Sequence, residues 1–227
     1  MSFHIRPAEL QDLPRILEIY ENAREFMRSN GNPNQWWDYH PAKELLLDDI
    51  PKRQLYVFVQ DGVIDGVFAY ITGVDPTYIQ IEGEGWCNDE PYGVIHRIAV
   101  ARPGQGIIAK IFDWALAQCP NLRIDTHVDN APMRRALEKY GFRYCGIIHI
   151  FNGDERIAFH KVGTKPQETP RYLPIFMSIG LSIGMAVGAG IGNIPPAMCI
   201  GLGIGVSLGA VLDARNKKIH NKHDRSS

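Results

Sequence analysis

The sequence predicts an α/β domain built on a mixed sheet (α+β in its layering), followed by an apolar helical hairpin. Three observations carry that expectation. Over residues 1–162, short runs of alternating or β-rich apolar residues are interleaved with runs whose apolar residues recur every three to four positions, the pattern of a sheet with helices on its faces. Beyond residue 171 no charged residue occurs until Asp213, a stretch of 41 residues. Nine of the 22 glycines fall in that stretch, seven of them at four-residue spacing.

Phe3–Arg6 alternates apolar and polar as a short strand. Asp12-Leu13-Pro14 then opens a helix, in which Leu13, Ile16, Leu17, Tyr20, Ala23, Phe26 and Met27 recur at helical spacing until Gly31-Asn32-Pro33-Asn34 breaks it. Pro41–Ile50 makes a second, shorter helix. Leu55–Gln60 and Val63–Thr72 read as strands joined at Asp61-Gly62, a strong hairpin signal. Tyr78–Trp86 fits neither period. Gly93–Val100 is a buried strand, followed by Gly104-Gln105-Gly106 and a helix over Ile107–Gln118. Leu122–His127 is a strand, Ala131–Tyr140 a helix, and Phe142–Phe151 with Arg156–Val162 a closing strand pair.

Gly163-Thr-Lys-Pro-Gln-Glu-Thr-Pro170, polar and holding two prolines, marks a linker over 163–171. The domains expected are therefore 1–162, a hairpin at 172–212 and a basic tail at 213–227. Asn193-Ile194-Pro195-Pro196 divides the hairpin into apolar stretches at 172–192 and 197–212. A helix of about 20 residues crosses a hydrocarbon core of about 30 Å, and the second stretch reaches that length if Pro195 and Pro196 form its first turn. Gly180, Gly184, Gly188 and Gly192, like Gly201, Gly205 and Gly209, lie on one helix face, where two backbones can approach closely. This resembles bacterial glycine-zipper segments. Arg171 on one flank and Arg215, Lys217, Lys218 and Lys222 on the other put both ends on the cytoplasmic side of a membrane. The alternative is a self-associating hairpin within a soluble homo-oligomer.

The formal net charge is −1, with +3 on residues 213–227, so the rest of the chain is acidic and nucleic acid is not an expected partner. Met1–Arg6 runs into charged, periodic sequence, so no secretory signal is expected. Cys87, Cys145, Cys119 and Cys199 show no CxxC pairing. They are expected as free thiols in a reducing compartment, with no metal bound and Cys145 as inert packing.

The unit at 93–118 is the most informative chemically. Glycines between a strand and a helix let the backbone curl around an anion that the first-turn amides hold. No Lys-Ser/Thr follows, which excludes a P-loop, and the third glycine of a dinucleotide fingerprint is missing. His96-Arg-Ile-Ala-Val100 with Arg102-Pro-Gly-Gln-Gly-Ile-Ile-Ala109, then Asn130-Ala-Pro-Met-Arg-Arg-Ala-Leu-Glu-Lys-Tyr-Gly-Phe142, resemble in order and spacing the two signatures of the GNAT acetyltransferase superfamily. The opening Ile5-Arg-Pro-Ala-Glu9 and Asp12 fits as well, so the resemblance spans residues 3–162.

That resemblance implies a GNAT-like acyl-CoA N-acyltransferase fold and an N-acetyltransferase using acetyl-CoA as acyl donor to an amine. It implies that the backbone of Ile98, Ala99 and Val100 pairs with pantetheine. The amides of Gly104, Gln105, Gly106, Ile107 and Ile108 would hold the pyrophosphate, and Asn130 would reach the cofactor. Three positions depart from the pattern. Pro103 and Ile108 replace usual loop residues, and Leu137 replaces the tyrosine that often protonates the departing thiolate, while the nearby Tyr140 sits at a position that usually packs inward.

Amine attack on a thioester needs a base, for which His96 and Glu82 are the catalytic candidates, with Tyr92 a weaker candidate acid. Trp36, Trp37 and His40 fall where members of the superfamily line the acceptor pocket, although one tryptophan could simply cap the core. Trp114, at helical spacing, is expected in the core. The rival reading is a non-catalytic acyl-CoA-binding module with a membrane or assembly role.

Overall fold

The computed structural model describes residues 2–36, 39–163 and 171–223, with side chains to Arg215. Trp37 and most of the linker lie outside the described residues. The chain forms two units, Met1–Lys165 and Pro166–Ser227.

The first unit runs β1 (Phe3–Pro7), α1 (Leu13–Ser29), α2 (Lys43–Asp49), β2 (Leu55–Gln60), β3 (Val63–Thr72), β4 (Gly93–Val100), α3 (Ile107–Gln118), β5 (Asn121–Thr126), α4 (Ala131–Lys139), β6 (Arg143–His149) and β7 (Glu155–Val162). Short 3₁₀ turns occupy Leu10–Asp12 and Pro76–Tyr78. This is the order expected from the sequence. Tyr78–Trp86 is an irregular excursion pinned to β6 through a bridge between Glu82 and Ile147.

The sheet has seven strands in the order β1-β2-β3-β4-β5-β7-β6, and only β4 and β5 are parallel. Alternation sorts side chains between its faces. Leu55, Val57 and Val59 of β2 pack with Ile16, Ile19 and Tyr20 of α1, whereas Phe58 joins Ile111 and Phe112 of α3 and Leu137 of α4 on the other face.

One irregularity in β4 matters for function. Val67 pairs with Ala99 but Ala69 pairs with His96, so β4 carries an extra residue there. Arg97 takes φ +52° to absorb it. Ile95 and Ala99, four residues apart, would share a face of a regular strand. They pack into opposite clusters instead. The bulge is tied down by Tyr20, whose hydroxyl donates to the Arg97 carbonyl at 2.9 Å, and by a buried pair between Arg97 and Asp49 of α2 at 2.5 Å. Breaking such a pair by removing one partner costs about 3–5 kcal/mol.

The second unit is an antiparallel pair, α5 (Tyr172–Ile191) and α6 (Ile194–His223), with Pro195 and Pro196 in the first turn of α6 as the sequence predicts. The helix continues past residue 212 into the basic segment. Contact is made through glycines: a Cβ on Gly180 would sit 2.2 Å from the Gly201 carbonyl oxygen, and one on Gly205 2.2 Å from that of Phe176. Asp213 closes the open end of the pair. Its carboxylate accepts from the amides of Tyr172 at 2.6 Å and Leu173 at 3.2 Å, satisfying first-turn donors of α5 that have no intrahelical partner. Ile175, Ile179, Ile183, Ile191, Ile200 and Ile204 face outward.

Candidate active site

The parallel pairing of β4 with β5 ends after two residue pairs, Gly93 with Leu122 and Val94 with Arg123. Beyond Val94 the strands diverge, and β4 keeps hydrogen-bonding partners on its β3 side alone. Two cavities open along this divergence, and Met27, Ile98, Asn130 and Met133 line both.

The first cavity, about 620 Å³, brings together every cofactor residue expected from the sequence: Ile98, Ala99, Val100, Gly104, Gln105, Gly106, Ile107, Ile108 and Asn130. Its volume falls within the range of about 300–1,000 Å³ common for small-molecule sites. Gly104 and Gly106 hold φ +84° and +70°, where a side chain is strained, and a Cβ on either would meet nothing within 4 Å. The loop therefore presents bare backbone and open space at the start of α3, whose first-turn amides carry the positive end of the helix dipole. Arg102 and Lys139 are the cations in the lining. Arg102 also pairs with the buried Asp65. The donor set thus fits a phosphate-bearing acyl-CoA, with backbone amides carrying more of the anion binding than cationic side chains do. Asn130 is the N-cap of α4. Its Oδ1 accepts from the Met133 amide at 3.1 Å and its Nδ2 donates to Gln35 Oε1 at 2.7 Å.

The second cavity, about 420 Å³, contains His96 on the face exposed by the β4 bulge. His96 Nε2 lies 2.7 Å from Asp75 Oδ2, and its Nδ1 lies 3.7 Å from Asp125 Oδ1. Asp75 Oδ1 accepts from the Thr77 amide at 2.9 Å and the Thr77 hydroxyl at 2.6 Å. Burial alone would raise the Asp75 pKa, but the bonds from His96 and Thr77 outweigh it and hold the carboxyl at about 2. An ionised Asp75 assigns the imidazole proton to Nε2 and leaves the Nδ1 lone pair free. Tyr78 Oη donates to Asp125 Oδ1 at 2.7 Å, so that carboxylate is also fixed.

Glu82 lines neither cavity. Its side chain is 74 % exposed and bonds His149 at 3.1 Å, while its backbone docks on β6, where a Cβ at Gly146 would lie 2.0 Å from the Glu82 carbonyl oxygen. Tyr92 packs under Arg123 and its Oη accepts from the Asp75 amide at 3.2 Å. Leu137 is fully buried in the core. Tyr140 lines the first cavity, but its hydroxyl donates to Asp113, and burial followed by that bond pushes its pKa upward. Trp36 does both things expected of it, packing edge-on against Tyr20 and lining the second cavity beside His40. Trp114 packs among Tyr56, Phe68 and Tyr70.

Sequence reasoning missed Asp75, Asp125, Gln35 and Arg156, all in the second lining. The available signals were a carboxylate inside the buried strand Asn121–Thr126 and an Asp-Pro-Thr turn at residue 75. It also missed that donor atoms of Cys87, Cys145 and His160 lie within 4.8 Å of one another. There the Cys87 amide donates to His160 Nδ1 at 3.1 Å. Burial, then Arg123, depresses His160 to about 4, and burial, then Cys87, pushes the Cys145 thiol up to about 12. His160 and Cys145 are therefore both neutral near pH 7.

No protein-family model and no curated protein matches the chain. Solved structures do. A GNAT-family acetyltransferase from Streptococcus agalactiae is similar at TM-score 0.65 and 29% identity, covering 73% of this chain and 98% of that one. A GNAT-family acetyltransferase from Listeria monocytogenes shares the fold at TM-score 0.52 and 17% identity, covering 70% of this chain and 94% of that one. The seven-stranded mixed sheet with its diverging central pair is the GNAT fold, as the resemblance implied.

Proposed function

We propose that this protein is an acetyl-CoA-dependent N-acetyltransferase acting on a primary amine, held by its C-terminal hairpin at the cytoplasmic face of a membrane. The observation that carries the enzymatic reading is the meeting of two cavities at Ile98 and Asn130. One is lined by a glycine loop at a helix start and the other by a histidine bonded to an ionised carboxylate. The likeness to the Streptococcus agalactiae acetyltransferase supports it.

Acetyl-CoA, when bound, supplies the activated acyl group. The unpaired edge of β4 at Ile98–Val100 would take the pantetheine as an added strand takes its neighbour, and the amides of Gly104–Ile108 would hold the phosphates. His96 Nδ1 accepts the proton from the acceptor amine, and the ionised Asp75 stabilises the imidazolium that forms. Asp125 Oδ1, on the other side of the 3.7 Å gap, would accept a second N–H and orient the nitrogen. A positioned base of this kind contributes about 10²–10⁴ in rate, and alignment of amine and thioester contributes further. Among the described residues the Tyr140 hydroxyl in the first lining is committed to Asp113 and does not stand in for the tyrosine absent at Leu137. A thiol of ordinary pKa, about 8.5, leaves as thiolate near neutral pH without a strong acid. Glu82, exposed and outside both linings, is left without a role in this mechanism.

The membrane reading rests on two helices long and apolar enough to cross a bilayer, Tyr172–Ile191 and Ile194–Arg215, whose apolar side chains mostly face outward. Glycine contacts between them are what a glycine-zipper hairpin requires in lipid, where close packing replaces the hydrophobic drive.

A second reading, a non-catalytic acyl-CoA-binding module, is favoured by the buried Leu137. CoA release by the detergent-solubilised full chain, measured with a thiol reagent across a panel of amines, separates the two. Turnover abolished by His96→Ala supports the enzyme. Saturable acetyl-CoA binding without CoA release from any amine supports the module. For the anchor, the full chain should stay in membranes after carbonate washing, and its recovery in the soluble fraction would remove that part of the proposal.

A further inference from the structure

The second cavity sets charges of both signs within a largely apolar lining. Asp75 and Asp125 flank His96 at one end. Arg156 of β7 lies in the same lining with its side chain 5 % exposed. A guanidinium carries five donors and matches a carboxylate in a two-point fork. Arg156 has little of that kind among the described residues. One nitrogen donates to the Glu155 carbonyl at 2.8 Å and another to the Gln35 carbonyl at a long 3.4 Å. The nearest carboxylate, Asp154, stands 3.7 Å away and is half exposed. A buried cation whose acceptors are one well-placed carbonyl, one distant carbonyl and a carboxylate 3.7 Å away gains from a further anion that completes its coordination.

Cations also stand close to another residue of this lining. His40, also in the lining, is held neutral, its pKa lowered to about 4 by burial first and then by Arg97, Arg156 and Arg24. Arg97 is already neutralised by Asp49, and Arg24 reaches the His40 carbonyl and Glu21. Arg97 also lines this cavity and keeps a buried Nε without a partner among the described residues, but its charge is met by Asp49 at 2.5 Å; the Arg156 charge is met only by Asp154 at 3.7 Å, which leaves Arg156 the better placed to bind an anion.

Resting on the acetyltransferase reading, we propose that the acceptor is a free amino acid, its amino group set against both His96 Nδ1 and Asp125 Oδ1 and its carboxylate bound by Arg156. A polyamine would bring a second positive charge towards Arg156. A protein N-terminus would bring no carboxylate and leave the guanidinium under-coordinated. The apolar walls, including Ile71, Pro76, Trp36 and Phe151, suit an amino acid with an apolar side chain.

The test compares acceptors identical but for the carboxylate: phenylalanine against phenylalaninamide and phenethylamine, and leucine against leucinamide and 3-methylbutylamine. CoA release by the full chain is measured for each. The free amino acids should have kcat/KM at least 30-fold above their partners, mostly through KM. Arg156→Gln should erase that preference with the KM for acetyl-CoA unchanged, and Arg156→Lys should restore part of it. Amides or simple amines that react as well as the amino acids in the unmodified protein would overturn the proposal and leave the acetyltransferase reading standing. So would a preference that survives in Arg156→Gln. No CoA release from any amine would remove the acetyltransferase reading itself, and this proposal with it. The unmodified protein alone decides the comparison if Arg156→Gln does not fold.

Discussion

Replacing Asp75 by Asn tests how the imidazole is set. All of the Asp75 side-chain contacts are with donors: Oδ1 receives the Thr77 amide and hydroxyl, and Oδ2 receives His96 Nε2. An asparagine has one oxygen to offer. The two Thr77 donors will hold that oxygen on their side, which turns the NH₂ towards His96. Nε2 must then accept, the ring proton moves to Nδ1, and the lone pair facing the acceptor amine is lost. The carboxyl titrates at about 2 instead of 3.8, a difference worth about 2.5 kcal/mol at about 1.4 kcal/mol per pH unit. That difference shows how firmly the carboxylate is held ionised; the rate effect of losing it is bounded by what a positioned base contributes, about 10²–10⁴. Inversion of the tautomer removes part of that contribution, as the analogous change does in serine hydrolase triads. The expected fall in kcat/KM is therefore about 10²–10³, with the KM for acetyl-CoA preserved and the far-UV circular dichroism unchanged. The assay is initial-rate CoA release from pH 6 to 9, beside a thermal melt as a control for folding. A variant that keeps more than half of the activity with an unaltered pH profile would refute the argument that Asp75 poises His96 as the base.

Three further outcomes follow from the same structure. His160 is buried and titrates at about 4 instead of 6.5, so between those values the unfolded chain binds more protons and stability falls as pH falls. Denaturant titration should find this residue contributing about 2 kcal/mol to the loss of stability between pH 7 and pH 5, and His160→Gln should remove that share of the slope, leaving the like share of His40. In the hairpin, Gly201→Val should separate the helices, because a Cβ there meets the Gly180 carbonyl oxygen at 2.2 Å, whereas Gly203→Val points into open space. Overpacking of this kind costs about 1–3 kcal/mol, and thermal melts in detergent should show the loss for Gly201→Val alone. Among the thiols, Cys87 is exposed and should be alkylated in the folded protein, while Cys145, buried and pushed up to about 12, should react only after unfolding. Peptide mapping after a timed pulse of iodoacetamide reads both.

What the sequence could and could not reveal divides along the range of the interactions involved. The elements of both units were legible because each rests on local chemistry: Asp61-Gly62 turns a hairpin, Pro195 and Pro196 open a helix, and apolar period separates Leu55–Gln60 from Ile107–Gln118. The residues that share the first cavity were legible for a related reason, since Ile98–Ile108 is one continuous strand, turn and helix start. The acceptor site is assembled differently. Asp75, His96, Asp125 and Arg156 come from a 3₁₀ turn, a bulged strand, a second strand and a third, and no spacing relates them. His96 stood out because it adjoins the motif; its carboxylates did not, because a lone aspartate in a strand looks like any other. The extra residue at Arg97 was equally silent, since arginine has no special tendency towards positive φ and only the pairing of β3 with β4 exposes the mismatch. Yet that residue turns the strand between Ile95 and Ala99, leaving His96 towards the acceptor cavity and Ile98 towards the α3 face. The local motif therefore marks out the first cavity, while the second is assembled by long-range contacts. The contacts of Arg156 are where the choice of acceptor is most open to experiment.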